Sequence, residues 1–299
     1  MSTADQSLPP DEPDDLVALL ARLEAEPAPA SVRDEVLAAV RRSPHVPIAP
    51  MAPLDVFEHC VVALDDLLDE LVDADHDRWV AAYDWTVGGL VRHLAAVERH
   101  MQSVLGIAID DRDPDRLNHL AVGREFRDDL QTRRPVDAVR AWRDLAYGTV
   151  ASLRIGAGPD GGTVVQMHQW PFAVDSLLIV RSFEIWTHTD DIRRATDRPL
   201  AAPPPNALRA MSTLSVQSLP VLAAVVADRG QVPGVRVVLT GHGGGTHDIG
   251  TGVREATLVA DVVDYCRLVA RRADASVFQV EGDPALAADL VAAAQAIAM

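Results

Sequence analysis

The chain has 299 residues and a formal net charge of −17, with 48% hydrophobic, 24% charged and only 4% aromatic residues. That length suits about two domains, and the composition excludes general disorder while leaving aliphatic and Ala-rich helices to supply the packing. All 27 basic residues are arginine, which excludes a Walker-type phosphate loop and Schiff-base chemistry, since both need a lysine; the acidic balance argues against a nucleic-acid or anionic-membrane surface.

The leading segment, residues 1–50, is acidic and holds eight of the twenty prolines. It contains two short apolar runs, Leu16 to Leu23 and Val32 to Val40, the second opened by a Ser31-x-x-Asp34 capping box. Neither is long enough to be stable alone. There is no apolar signal core at the start and no uninterrupted apolar stretch of about 18 residues, so a soluble cytoplasmic protein is expected.

From Met51 the pattern becomes helical. Val56, Leu64, Leu67, Leu68 and Leu71 predict a first helix ending near Asp73-Ala-Asp75. A second opens at Asp84-Trp85-Thr86, with Thr86 as N-cap, and runs through Leu90, Val91, Leu94, Val97 and Met101 to Gly106. A third covers Val136 to Leu153; a loop and a β-like run from Thr163 to Met167 follow, then a strongly apolar helix from Ala173 to about Ala195. Four helices over residues 51–198 suit a bundle. The Pro-rich stretch Pro199 to Pro205 reads as a linker, and residues 206–299 as a small α/β domain. Its expected elements are a helix from Asn206 interrupted at Pro220, a strand Val235 to Thr240, a Gly-rich hairpin turn at His242 to Gly245, a strand near Thr257, a helix Asp261 to Arg272, a strand near Phe278 to Val280, and a last helix started by Asp283-Pro284.

The apolar helix carries the main chemical signal. Arg181, Glu184, His188 and Asp191, spaced 3, 4 and 3, fall within about 80° of arc and form one polar stripe on a helix that is otherwise apolar on nearly every side. Glu184 and His188 stand one turn apart, a spacing that lets a carboxylate oxygen and an imidazole nitrogen meet one metal ion, and equally that of an ordinary helical hydrogen-bond pair. A third ligand could be His93 on the second helix, or His100, seven residues on along the same flank; periodicity does not choose between them. Asp191, one turn beyond His188, is expected to hold that ring or a nearby arginine. Cys60 and Cys266 match no metal or redox spacing and read as buried core residues.

The stretch Asp84-Trp-Thr-Val-Gly-Gly-Leu-Val-Arg-His93-Leu resembles a motif of the mycothiol-dependent maleylpyruvate isomerase family, within the DinB-like superfamily. Arg181-Ser-Phe-Glu184-Ile-Trp-Thr-His188-Thr-Asp-Asp191-Ile resembles its second motif. The resemblance spans about Met51 to Met299 and implies a mainly α fold: a DinB-like four-helix bundle followed by a small, sterol-carrier-protein-like α/β domain. It implies that His93, Glu184 and His188 hold a divalent metal, usually zinc, and that mycothiol is the thiol cofactor. It also matches Arg272 to the arginine ending the family's carboxy-terminal helix, which would hold substrate or cofactor charge, with Arg271 as the substitute. In two places the chain departs from the family pattern: Asp190 stands where a Trp is frequent, and Arg271 where a Gly is common.

The function this implies is thiol addition to a small electrophile, ending in isomerisation or in thiol S-transfer. Three protein ligands leave zinc an open position, and metal activation of an external thiol needs no protein cysteine. Two other classes are compatible with the sequence: a non-catalytic metal- or thiol-sensing regulator, whose Ala30 to Arg41 segment resembles an anti-sigma-factor linker and would bind a protein partner, and a DinB-like metal hydrolase. Gly156-Ala-Gly-Pro-Asp-Gly161 matches G-x-G-x-x-G only formally, because it follows a helix rather than a strand.

Overall fold

The computed structural model describes residues 48–107, 134–167, 170–226 and 231–296. The expectations for the leading segment, its capping box and its anti-sigma-like stretch lie outside the described residues. The described residues form one compact unit.

Among the described residues, four helices make the bundle: α1 (Pro53–Asp69), α2 (Val87–Val104), α3 (Pro135–Arg154) and α4 (Val174–Ala195). Each sets apolar residues at helical spacing toward a shared core, as in Val56, Cys60, Leu64, Leu67 on α1 and Leu90, Leu94, Val97, Met101 on α2. α1 lies along α4, and α2 along α3. Thr86 caps α2 as its sequence suggests, its hydroxyl accepting from the Gly89 N–H at 3.2 Å. α4 also meets α5 (Pro205–Val226), which is why it is apolar on nearly every side.

The connection between α1 and α2 holds a 3-10 turn, Asp73–Asp77, and a minimal antiparallel pair, β1 (Trp79–Val80) and β2 (Trp85–Thr86). It is tied to the far end of α4. Arg78 donates to the Ala195 carbonyl at 2.7 Å and pairs with Asp197, while Arg198 reaches the Glu70 carbonyl at 2.8 Å and Asp75 at 3.1 Å. Tyr83 and Trp85 ride on this fastened segment.

Beyond the bundle, β3 (Val164–Met167) and β4 (Trp170–Ala173) form a hairpin leading into α4. The final part is a four-stranded sheet, order β6-β5-β7-β8, from β5 (Pro233–Thr240), β6 (Gly245–Ile249), β7 (Thr251–Asp261) and β8 (Gln279–Gly282). β5 pairs parallel with β7 and antiparallel with β6, and β7 antiparallel with β8. With α5, α6 (Val262–Val269) and α7 (Pro284–Gln295), it gives the expected α/β part after a mainly helical bundle. Asp261 and Asp283 cap α6 and α7.

Two expectations are corrected, and two strands were not expected. Helix α5 runs through Pro220 without interruption: that residue cannot donate to the preceding turn, but buried Val216, Leu219 and Ala223 keep both halves on one surface. By length and composition α5 is also apolar enough to cross a membrane; here it packs on α4, α6, α7 and β6. Helix α6 stops at Val269 rather than Arg272, because Arg271 adopts a left-handed conformation, φ 59°. Strands β4 and β6 carry no alternation strong enough to announce them, and the sequence reading passed over both.

Candidate metal centre

Helix α2 presents His93 and α4 presents Glu184 and His188 to one point. One ligand atom from each lies within 4.8 Å of the others, and this is the set that could hold a metal among the described residues. His93 Nε2 is 3.3 Å from Glu184 Oε1, and His188 Nε2 is 4.0 Å from the same oxygen. The His188 side chain is 4% exposed, that of His93 12% and that of Glu184 29%, so the cluster is enclosed except on the glutamate side. His100 is buried and outside the set.

Two of the three ligands, Glu184 and His188, are braced from behind. The guanidinium of Arg181, fully buried, pairs with Glu184 Oε2 and leaves Oε1 turned to the two imidazoles. Its other arm donates to Glu98 Oε2 at 3.2 Å, and Thr149 donates to Glu98 Oε1 at 3.0 Å. His188 Nδ1 is 3.2 Å from Asp191 Oδ2, which leaves Nε2 for the shared point. Asp191 is in turn gripped by Arg272 through two parallel bonds, Nε to Oδ1 at 2.8 Å and Nη2 to Oδ2 at 2.7 Å.

The electrostatics suit cation binding. Burial holds His93 below the usual imidazole range despite Glu184 beside it, which favours the neutral ring a metal needs. Burial opposes ionisation of Glu184, but Arg181, His93 and His188 outweigh it and hold the carboxyl well below the ordinary carboxylate range. Burial likewise opposes ionisation of Asp191, and Arg272 and His188 reverse the balance.

Comparison with known proteins now adds a family. The family model described as "Mycothiol maleylpyruvate isomerase N-terminal domain" matches residues 57–193. The bundle segment belongs to that family. Two solved structures are similar over 77% of this chain and 92% of theirs. They are a mycothiol-dependent maleylpyruvate isomerase, with 15% identity and a TM-score of 0.55, and its mutant with one histidine replaced by alanine, with 14% identity and a TM-score of 0.54. No curated protein matches.

Within this maleylpyruvate isomerase-type bundle, the structure brings together His93, Glu184, His188, Asp191 and Arg272 of the residues singled out from sequence. It does not bring Arg271 there: that side chain is exposed and donates to the Gln295 carbonyl at 2.8 Å. Asp190, at the family's Trp position, is buried and meets Arg267 of α6 at 3.2 Å.

Sequence reasoning passed over Glu98 and Tyr83, and gave Trp85 no role beyond its place in the motif. Glu98 had a signal, an acid at core spacing between Leu94 and Met101 on the apolar face of α2. Tyr83 had none, because its partners His188 and Arg272 are remote in sequence; Trp85 stands in the motif that leads to His93, but nothing in the sequence placed it against that ring. Their rings stack at 5.0 Å; Tyr83 lies 5.6 Å from the His188 ring and Trp85 5.1 Å from the His93 ring. Together they wall the two imidazoles.

Proposed function

We propose that this protein is a zinc-dependent enzyme that uses mycothiol to attack a small electrophile, with isomerisation or S-transfer as the outcome. The observation that carries the reading is the convergence of His93, Glu184 and His188 with an open side at Glu184. Two imidazoles and one carboxylate are a donor set suited to zinc, and three protein ligands are what a catalytic site supplies. Such an ion, when bound, would favour ionisation of a thiol brought to its free position.

The chain's own residues perform the remaining tasks. Arg181 holds one oxygen of Glu184 so that the other faces the histidines, Asp191 fixes the ring of His188, and Tyr83 with Trp85 shields both imidazoles from water on one side. The protein's own thiols do not compete. Cys60 and Cys266 are fully buried, and burial pushes the Cys60 thiol up to about 12 and that of Cys266 higher still, so the nucleophile has to arrive from outside. The membership of the bundle in the mycothiol maleylpyruvate isomerase N-terminal family supports mycothiol as that thiol.

The test is metal analysis of the purified chain beside turnover of maleylpyruvate and other small electrophiles, with and without mycothiol. About one equivalent of zinc and strictly thiol-dependent turnover, both lost in His93→Ala, are expected. Metal binding with no turnover would replace the enzyme by a regulator, and thiol-independent hydrolysis would replace it by a hydrolase. Protein that binds no divalent metal would overturn the reading.

A further inference from the structure

Arg272 comes from the turn that follows α6, in the α/β part, yet four of its hydrogen bonds are already made inside the protein. Nε and Nη2 take the two oxygens of Asp191, Nη1 donates to the Ala270 carbonyl at 2.7 Å, and Nη2 also donates to the Tyr83 hydroxyl at 3.0 Å. Its guanidinium carbon also lies 5.1 Å from the centre of the Tyr83 ring. A guanidinium has five N–H donors, so little of this one is left to meet a ligand. Its charge is matched by a carboxylate whose side chain is 3% exposed.

We propose that Arg272 and Tyr83 are positioning residues that set the ring of His188 through Asp191. This inference deepens the metal reading given above and rests on it only for the affinity readout. The chain of contacts is continuous: Tyr83 hydroxyl, Arg272, Asp191, His188 Nδ1. The two parallel bonds, with Arg194 3.6 Å from Oδ1, fix the plane of the Asp191 carboxylate and keep Oδ2 against Nδ1. With the proton drawn to Nδ1, Nε2 keeps its lone pair toward Glu184 and the metal position. The Tyr83 ring, 5.6 Å from that of His188 and tilted by 59°, limits rotation of the imidazole from the other side. The α/β part thereby orients His188 by way of Asp191.

The experiment uses the full chain without metal, labelled with 15N-histidine, at a pH above the ordinary histidine range. Long-range proton–nitrogen spectra report which ring nitrogen of His188 carries the proton, the signal being assigned by its loss in His188→Gln. Wild type is expected to show the proton on Nδ1. Arg272→Met is expected to give a mixture of tautomers and, in cobalt and zinc titrations, about 10- to 100-fold weaker binding. Tyr83→Phe, which removes only one hydroxyl, should keep the tautomer and weaken binding less than Arg272→Met. If Arg272→Met does not fold, Arg272→Lys is read the same way, since lysine keeps the charge and loses the two-pronged grip. Wild-type tautomer with metal affinity within twofold in either arginine variant overturns the proposal. A wild type that binds no metal, yet changes tautomer in Arg272→Met, defeats the metal reading and leaves the positioning role standing.

Discussion

Two arginines brace the same cluster from different regions of the molecule, and they are built differently. Arg181 sits within the bundle, one turn from the glutamate it holds, with 1% of its side chain exposed between Glu98 and Glu184. Arg272 belongs to the α/β part, grips Asp191 from 81 residues away, and keeps 13% of its side chain exposed. The first is a charge the fold cannot release to water; the second can be solvated if its partner is lost. The same chemical type therefore carries mainly stability in one region and mainly orientation in the other.

The largest effect is expected for Arg181→Met. Removing one partner of a buried ion pair leaves the other uncompensated, at about 3–5 kcal/mol. Glu98 would be left fully buried with Thr149 as its remaining side-chain partner, while burial already pushes its carboxyl above the usual range. Urea unfolding of the metal-free chain measures this, and a loss below about 1 kcal/mol would erase the distinction between the two arginines. The double variant Arg181→Met with Glu98→Gln should recover part of the loss, because the uncompensated charge is gone.

Next comes the contrast between adjacent carboxylates. Asp191→Asn is expected to weaken zinc binding about 10- to 100-fold, the usual cost of losing an outer partner of a ligating histidine. Asp190→Asn should leave affinity within about twofold and change stability by no more than about 1 kcal/mol, since the removed charge is one that folding disfavours and Arg267 and Arg194 are exposed enough to regain water. Competition with a chromophoric chelator and denaturant titration separate the two outcomes. Acid titration separates them again. The Asp191 pKa is lowered on folding, so its contribution is present above the unfolded value of about 3.9 and fades as pH falls through the folded value. Burial, with the neighbouring Asp191 charge, raises that of Asp190, so its ionisation costs stability that returns as pH falls. Stability measured against pH should therefore fall less steeply on the acid side in Asp191→Asn than in wild type, and more steeply in Asp190→Asn.

The same division explains what the sequence could disclose. The bundle helices were legible because apolar spacing repeats over many turns, and Glu184 with His188 because one turn of one helix fixes their separation. His93 and His100 were not separable, being seven residues apart on one flank; only the packing of α2 on its neighbours puts His93 beside Glu184 and buries His100 elsewhere. Tyr83 and Arg272, 189 residues apart, meet through the tertiary fold alone. Strands β4 and β6 take their identity from the partners they pair with, Val164–Met167 and β5, rather than from any period of their own.

The smallest effect is expected at Arg271, where local sequence and local backbone disagree. Helix α6 ends in a left-handed turn, with the Arg272 N–H bonded to the Arg267 carbonyl at 2.7 Å and the Arg271 N–H to the Leu268 carbonyl at 2.9 Å. This is the closing pattern in which glycine usually occupies the left-handed position. Arg271 takes it with a side chain, at φ 59°, and a Cβ there costs about 1–2 kcal/mol. Arg271→Gly relieves that strain, gives up one exposed bond to the Gln295 carbonyl and frees the unfolded chain somewhat. The net expectation is a gain of about 0.5–1 kcal/mol, or roughly 1–4 °C in melting temperature for a chain of this size. Zinc affinity and thiol-dependent turnover should not change. A fall in turnover with affinity intact would return Arg271 to the chemistry and give the arginine pair of the α/β part a direct share in substrate binding.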